Sequence, residues 1–121
     1  SATAHPDHRL ISTEDVVGTN VYDRGGNSVG EVDHLILDKQ SGRTAYAVIS
    51  FGGFLGLAHS HYPVPWSALS YDPSLAGYRA DITQAQLNDA PAFSDDSWND
   101  RDWEQRTHDH YRAPQYWGTG L

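Results

Sequence analysis

Glycine and proline interrupt this chain at short intervals, and their spacing limits the folds that it can form. The segments between them, such as residues 20–23, 28–38 and 43–51, are rich in valine, tyrosine, isoleucine and other residues that favour β-strands. These segments do not alternate with long helical segments, as they would in a parallel α/β fold. Residues 10–93 therefore predict an all-β fold, a small antiparallel barrel or sandwich of five or six short strands.

The predicted turns contain six glycines, which are Gly25, Gly26, Gly42, Gly52, Gly53 and Gly56. Paired glycines supply the positive φ that a tight hairpin needs, so residues 24–27 are expected to join the first two strands. The last three glycines stand close together in residues 52–57. We expect them to have backbone conformations or close contacts that a Cβ would disturb.

The same loop carries three large apolar side chains, those of Phe54, Leu55 and Leu57. A loop of this composition predicts a hydrophobic contact patch. Two receiving surfaces are compatible with the sequence, the mouth of the chain's own barrel and a second subunit. The loop is not a phosphate-binding motif, because no lysine followed by serine or threonine comes after it.

The composition changes at Ser94, after which acidic and aromatic residues replace the branched aliphatic ones. Residues 97–111 contain neither glycine nor proline and predict one amphipathic helix. Because large aromatic side chains are costly to leave in water, Trp98, Trp103 and Tyr111 are predicted interface residues, against the barrel or a neighbouring subunit. The expected organisation is a disordered start (1–9), a barrel domain (10–93) and an acidic aromatic extension (94–121).

Charge and composition exclude several classes of function. The chain of 121 residues has a formal net charge of −8 and scattered cations, so no nucleic-acid partner is expected. It has no cysteine, which excludes disulfides and thiolate chemistry. The longest apolar runs are too short to span a membrane, and residues 1–9 do not form a signal peptide. We therefore expect a cytoplasmic protein, although the lack of methionine leaves open whether further residues precede Ser1.

His59 and His61 are the strongest metal-binding candidates in the sequence. On a strand, residues two apart share a face, so both imidazoles could reach one divalent ion. Two ligands do not make a site, and a third would have to come from Asp33 or His34. The sequence leaves three alternatives open: a metal site, exposed loop histidines, or a pH-sensitive interface. We expect no metal site.

No catalytic site is predicted. Ser67 follows a proline and a tryptophan at a strand end and lacks the strand-to-helix turn of a hydrolase nucleophile. His108 and His110 would lie about 200° apart around a helix, so they cannot chelate one ion together and suit a structural role. We therefore expect neither an enzyme nor a bound cofactor.

Five short segments, taken in order, carry a family resemblance. They are residues 21–23 (VYD), 30–33 (GEVD), 42–48 (GRTAYAV), 52–56 (GGFLG) and 64–69 (VPWSAL). Together they resemble the PRC-barrel family, which includes the cytoplasmic domain of the photosynthetic reaction centre H subunit and the C-terminal domain of a ribosome-maturation factor. The resemblance implies a six-stranded barrel that serves as a docking and assembly module, with no shared catalytic residue or cofactor.

These observations predict a bacterial, stand-alone and non-enzymatic barrel that self-associates as a homodimer or docks on another protein. Self-association is expected because the loop of residues 52–57 and the aromatic extension exceed what a small barrel can cover with its own surface. The alternative is a small metal- or ligand-binding protein that uses His59 and His61. The sequence identifies neither a partner nor a pathway.

Overall fold

The computed structural model describes residues 8–118, so the predicted disordered start falls mainly outside the described residues. The strands are β1 (Asn20–Tyr22), β2 (Ser28–Leu37), β3 (Thr44–Ser50), β4 (His61–Pro65), β5 (Leu69–Asp72) and β6 (Gly77–Ala80). The helices are α1 (Thr13–Val16), α2 (Gln84–Asn88) and α3 (Arg101–Tyr111), and two 3₁₀ turns cover Trp66–Ala68 and Asp95–Asn99. The prediction of a mainly β fold with six strands and short helices is confirmed.

All six strands belong to one sheet, in the order β4-β3-β2-β1-β6-β5. Four of the pairings are antiparallel, but β1 runs parallel to β6. The long connection between β1 and β6 makes a parallel pairing possible, whereas a tight hairpin would not. The prediction of a closed, purely antiparallel barrel is therefore wrong. The sheet is mixed and forms an open half-barrel whose edges, β4 and β5, do not pair with each other.

The edge strands explain why the sheet stays open. β4 contains Pro63 and Pro65, which have no N–H to donate to a further strand. The chain then passes through only one 3₁₀ turn, Trp66–Ala68, before β5 begins at the opposite edge of the sheet. So short a connection makes the sheet curl, while the two prolines oppose the ladder that would close it.

The hairpin predicted at residues 24–27 is confirmed, because β1 and β2 pair antiparallel around it and Gly26 has a φ of +83°. A bulge lies in this hairpin, where Val21 pairs with Gly30 and Tyr22 pairs with Ser28. A Cβ at Gly30 would lie 2.5 Å from the carbonyl oxygen of Ser50. The glycine therefore allows β2 and β3 to approach each other closely.

The main core fills the concave side of the half-barrel and receives residues from nearly every element. Its most buried members include Val21, Val32, Ala47, Ile49, Val64 and Leu87. A second, smaller core lies on the other face of β3, to which Tyr46 points because its neighbour Ala47 belongs to the main core. There Tyr46 packs against Trp103 of α3, and Ala45, near the start of the strand, joins the same cluster.

The C-terminal extension is helical, as predicted, but its helix begins later than expected. Residues 95–99 form a 3₁₀ turn, and α3 begins only at Arg101. The side chain of Asp100 separates the two, because it accepts hydrogen bonds from the backbone N–H groups of Asp102 (3.0 Å) and Trp103 (3.2 Å). No helix within residues 8–118 is long and apolar enough to cross a membrane.

Two adjacent loop glycines provide a matched test of the packing. A Cβ at Gly53 would lie 2.8 Å from the Cα of Val29, whereas a Cβ at Gly52 would have no atom within 4 Å. The expectation that a Cβ would disturb every glycine of the loop therefore does not hold for Gly52. We expect Gly53→Ala to lower the free energy of unfolding by about 1–3 kcal/mol and Gly52→Ala to change it little. Equal midpoints for the two variants in urea unfolding would contradict this packing.

Candidate interaction site

An apolar groove of about 670 Å³ lies beside β5, between that strand and the segment that precedes α1. Its lining residues are His8, Arg9, Leu10, Ile11, Ser12, Asp15, Trp66, Leu69, Tyr71, Pro73 and Tyr78. Tyr78 also belongs to the main core, and Leu69 packs against that core. The groove is therefore the part of the concave face that the open sheet leaves uncovered.

Three aromatic rings form one wall of the groove. The ring of Tyr78 lies 5.2 Å from that of Trp66 and 5.3 Å from that of Tyr71. Tyr78 is buried, and this burial raises the pKa of its hydroxyl. The hydroxyl of Tyr78 is therefore uncharged at physiological pH, and the three rings suit the wall to bind apolar side chains.

The rim of the groove carries apolar side chains that are exposed to solvent. Leu10 is 85% exposed, Ile11 46% and Tyr71 42%. Ser12 fixes the direction of this segment, because its hydroxyl accepts a hydrogen bond from the N–H of Glu14 and begins α1. No pattern in the sequence predicted this site. The only signal was two consecutive apolar residues before a capped helical turn.

The three apolar side chains of the glycine loop point in two directions. Phe54 and Leu57 pack against the main core, and Phe54 stacks on Phe51 with ring centroids 5.9 Å apart. Leu55 points away and is 84% exposed. The loop is held by hydrogen bonds from the Gly53 N–H to the Val29 oxygen (3.0 Å) and from the Gln84 side chain to the Leu55 oxygen. Of the three, only Leu55 is largely exposed to solvent.

The predicted interface residues of the extension lie mainly inside the chain. Trp103 is 2% exposed and Tyr111 8% exposed, and both contact their own barrel. Trp98 is 36% exposed and lies against Trp103, with ring centroids 5.6 Å apart. The extension therefore packs on the chain's own barrel, which was one of the two surfaces predicted for it.

A buried polar cluster holds the extension on β3. Glu104 accepts hydrogen bonds from the hydroxyls of Tyr46 (2.8 Å) and Tyr116, and its other oxygen lies 3.3 Å from Arg101. Burial and the bond to Glu104 raise the pKa of Tyr46 far above its usual value. The guanidinium of Arg101 also lies 4.1 Å from the ring centroid of Trp117. Burial of Glu104 could not be predicted from the sequence, because a helix of mixed charge gives no such signal.

His108 completes this cluster and is 2% exposed. Its Nδ1–H donates to the carbonyl oxygens of Ala113 (3.2 Å) and Pro114 (3.1 Å), which can only accept. Its Nε2 lies 3.1 Å from the hydroxyl of Tyr46. Burial lowers the pKa of His108, so the neutral imidazole is the stable form. His108 is therefore part of the packing between the extension and β3.

The two metal-binding candidates do not converge. The ring of His59 lies near Tyr62 and Phe93, whereas Nε2 of His61 lies 3.4 Å from Asp33. Asp33 also accepts a hydrogen bond from His34 (2.7 Å), and this bond, together with the nearby His61, lowers the pKa of the carboxyl group. Within residues 8–118, no group of three histidine or acidic side chains is placed to hold a metal ion.

A comparison with known families tests the resemblance that the five sequence segments carry. The family model for the PRC-barrel domain matches residues 8–87, which is most of the chain. The chain belongs to the PRC-barrel family. The segment of this PRC-barrel that matches the family model begins at His8, which lines the groove. It ends in α2, before the extension that packs on β3. No curated protein matches the chain.

The packing between α3 and β3 predicts different effects for a substitution in each element. Tyr46→Phe removes a donor from the buried carboxylate of Glu104, so it should lower the free energy of unfolding by about 1–3 kcal/mol. Thr107 is 1% exposed, and its hydroxyl has no hydrogen-bond partner within the described chain. Thr107→Val should therefore be neutral or stabilising. Urea unfolding monitored by tryptophan fluorescence would reveal a failure of either expectation.

The lowered pKa of His108 predicts that acid loosens the extension. The released imidazole has its usual pKa of 6.5, and the packed one has a lower value. Docking is therefore fully stabilised above pH 6.5 and weakens as the pH falls from there towards the pKa of the packed form. Limited proteolysis at about pH 7.5 and about pH 5.5 should show faster cleavage of the extension in acid. His108→Gln should abolish this difference, whereas His110→Gln should preserve it.

Proposed function

We propose that this PRC-barrel is a non-enzymatic interaction module that associates with a second copy of itself. The observation that supports this most strongly is the groove beside β5, which combines a volume of about 670 Å³ with an exposed apolar rim. Leu10, Ile11 and Tyr71 stand together at this rim, and exposed apolar side chains grouped beside a recess are typical of interaction sites. Burial of the patch in a protein complex would stabilise that complex.

The polar groups of the chain support a structural role over a catalytic one. The hydroxyl of Ser67 donates to the carbonyl oxygen of Pro114 at 2.7 Å and so fastens the extension to the end of β4. Glu104 and His108 are almost fully buried and bonded within the same extension. These three side chains hold the extension in place, and none of them lines the groove.

Self-association is tested by the mass of the protein in solution. Sedimentation equilibrium or light scattering over a range of concentrations should give about twice the chain mass of 13.4 kDa at the upper end. The reason is that apolar burial in the groove must exceed the repulsion between two chains that each carry a net charge of −8. A mass of one chain at about 100 μM would contradict self-association.

A further inference from the structure

We infer that the groove beside β5 binds the same groove of a second copy, so that each chain inserts Leu10 and Ile11 against the aromatic wall of its partner. This inference rests on the proposed self-association and adds the surface, the symmetry and the residues that carry it. Three independent features of the described residues support it: shape, charge and the state of the sheet edges.

The shape of this face is self-complementary. A two-fold interface uses the same patch on both subunits, so the patch must present a protrusion and a recess together. Leu10 and Ile11 provide the protrusion, since they are 85% and 46% exposed. The rings of Trp66, Tyr71 and Tyr78 provide the recess.

The charges of this face also fit a second copy. Although the chain carries a net charge of −8, the groove is lined by one arginine and one acidic residue, Arg9 and Asp15. The two are not joined by an ion pair within residues 8–118. A two-fold axis through the groove would bring Arg9 of each chain towards the partner's Asp15, which gives two favourable pairs. Surfaces elsewhere that carry the excess negative charge would repel each other.

The edges of the sheet favour the same face. Pro63 and Pro65 remove N–H donors from β4, whereas β5 contains no proline between Leu69 and Asp72. Leu69 and Tyr71 of β5 line the groove. A partner that enters the groove therefore lies beside the sheet edge that contains no proline.

Leu55 is the competing surface, and its surroundings suit a partner less well. It is 84% exposed, but the nearest recess, of about 480 Å³, is lined by Asp23, Arg24 and Asp81 as well as by Phe54. Arg24 and Asp81 already form an ion pair with each other. A single exposed leucine beside a charged recess is an ordinary surface feature and does not indicate an interface.

Leu10→Asp and Leu55→Asp form a matched pair, because the two leucines are exposed to the same degree, 85% and 84%. Each substitution adds one negative charge to an exposed position. We expect Leu10→Asp to raise the dissociation constant of the dimer about tenfold or more and Leu55→Asp to change it less than about threefold. Sedimentation equilibrium measures both, and circular dichroism checks that each variant retains the fold.

A charge exchange tests the two-fold geometry directly. Arg9→Asp alone and Asp15→Arg alone should each raise the dissociation constant, because each places like charges opposite each other across the axis. The double variant should recover at least half of the free energy that the single variants lose. A structural role of either residue within one chain would not produce this recovery at the level of dimer mass.

The outcomes distinguish the inference from the proposed function. If the wild-type chain is dimeric but Leu10→Asp leaves the dissociation constant unchanged, self-association stands and the groove is the wrong surface. Loss of the dimer in Leu55→Asp alone would overturn the inference in favour of the glycine loop. A wild-type chain that is monomeric at about 100 μM would overturn both.

Discussion

Pro63 and Pro65 deprive β4 of two backbone donors, and the half-barrel consequently ends without a ladder between its two edges. The curl of the sheet comes from the short connection through Trp66–Ala68, which joins the edges in sequence but not in hydrogen bonding. The concave core is therefore closed near β3 and open near β5. The same constraint that prevents closure of the barrel creates the apolar groove, so the candidate site is a direct consequence of the fold.

The C-terminal extension covers apolar surface on the opposite face of β3. Tyr46 would otherwise expose a large ring there, and the extension covers it with Trp103, His108 and Tyr116. Burial of Glu104 is made possible by donors from two tyrosines and one arginine. Because the family match ends at residue 87, this cover is an addition to the PRC-barrel itself. It also shields the part of this face around Tyr46 from solvent.

Local patterns were sufficient to predict the mainly β fold, the hairpin at residues 24–27 and the family. These depend on turn glycines and strand residues that are adjacent in sequence. Closure of the barrel could not be predicted, because it depends on whether two edges that are distant in the sheet order exchange hydrogen bonds. The same limit applies to the sites. Leu55 was predicted as a contact residue from its loop alone, whereas the groove combines residues 8–15 with residues 66–78, which only the folded chain brings together.

The unequal edges of the sheet also bear on how far association can proceed. A sheet with two equivalent free edges can add neighbours on both sides, and strand-by-strand addition then continues into fibres. Here one edge carries Pro63 and Pro65, and the other is only four residues long and ends at Asp72, which is followed by a third proline, Pro73. Both edges therefore disfavour continued growth by strand addition. An apolar groove can lie beside such an edge with less risk that the edge templates aggregation.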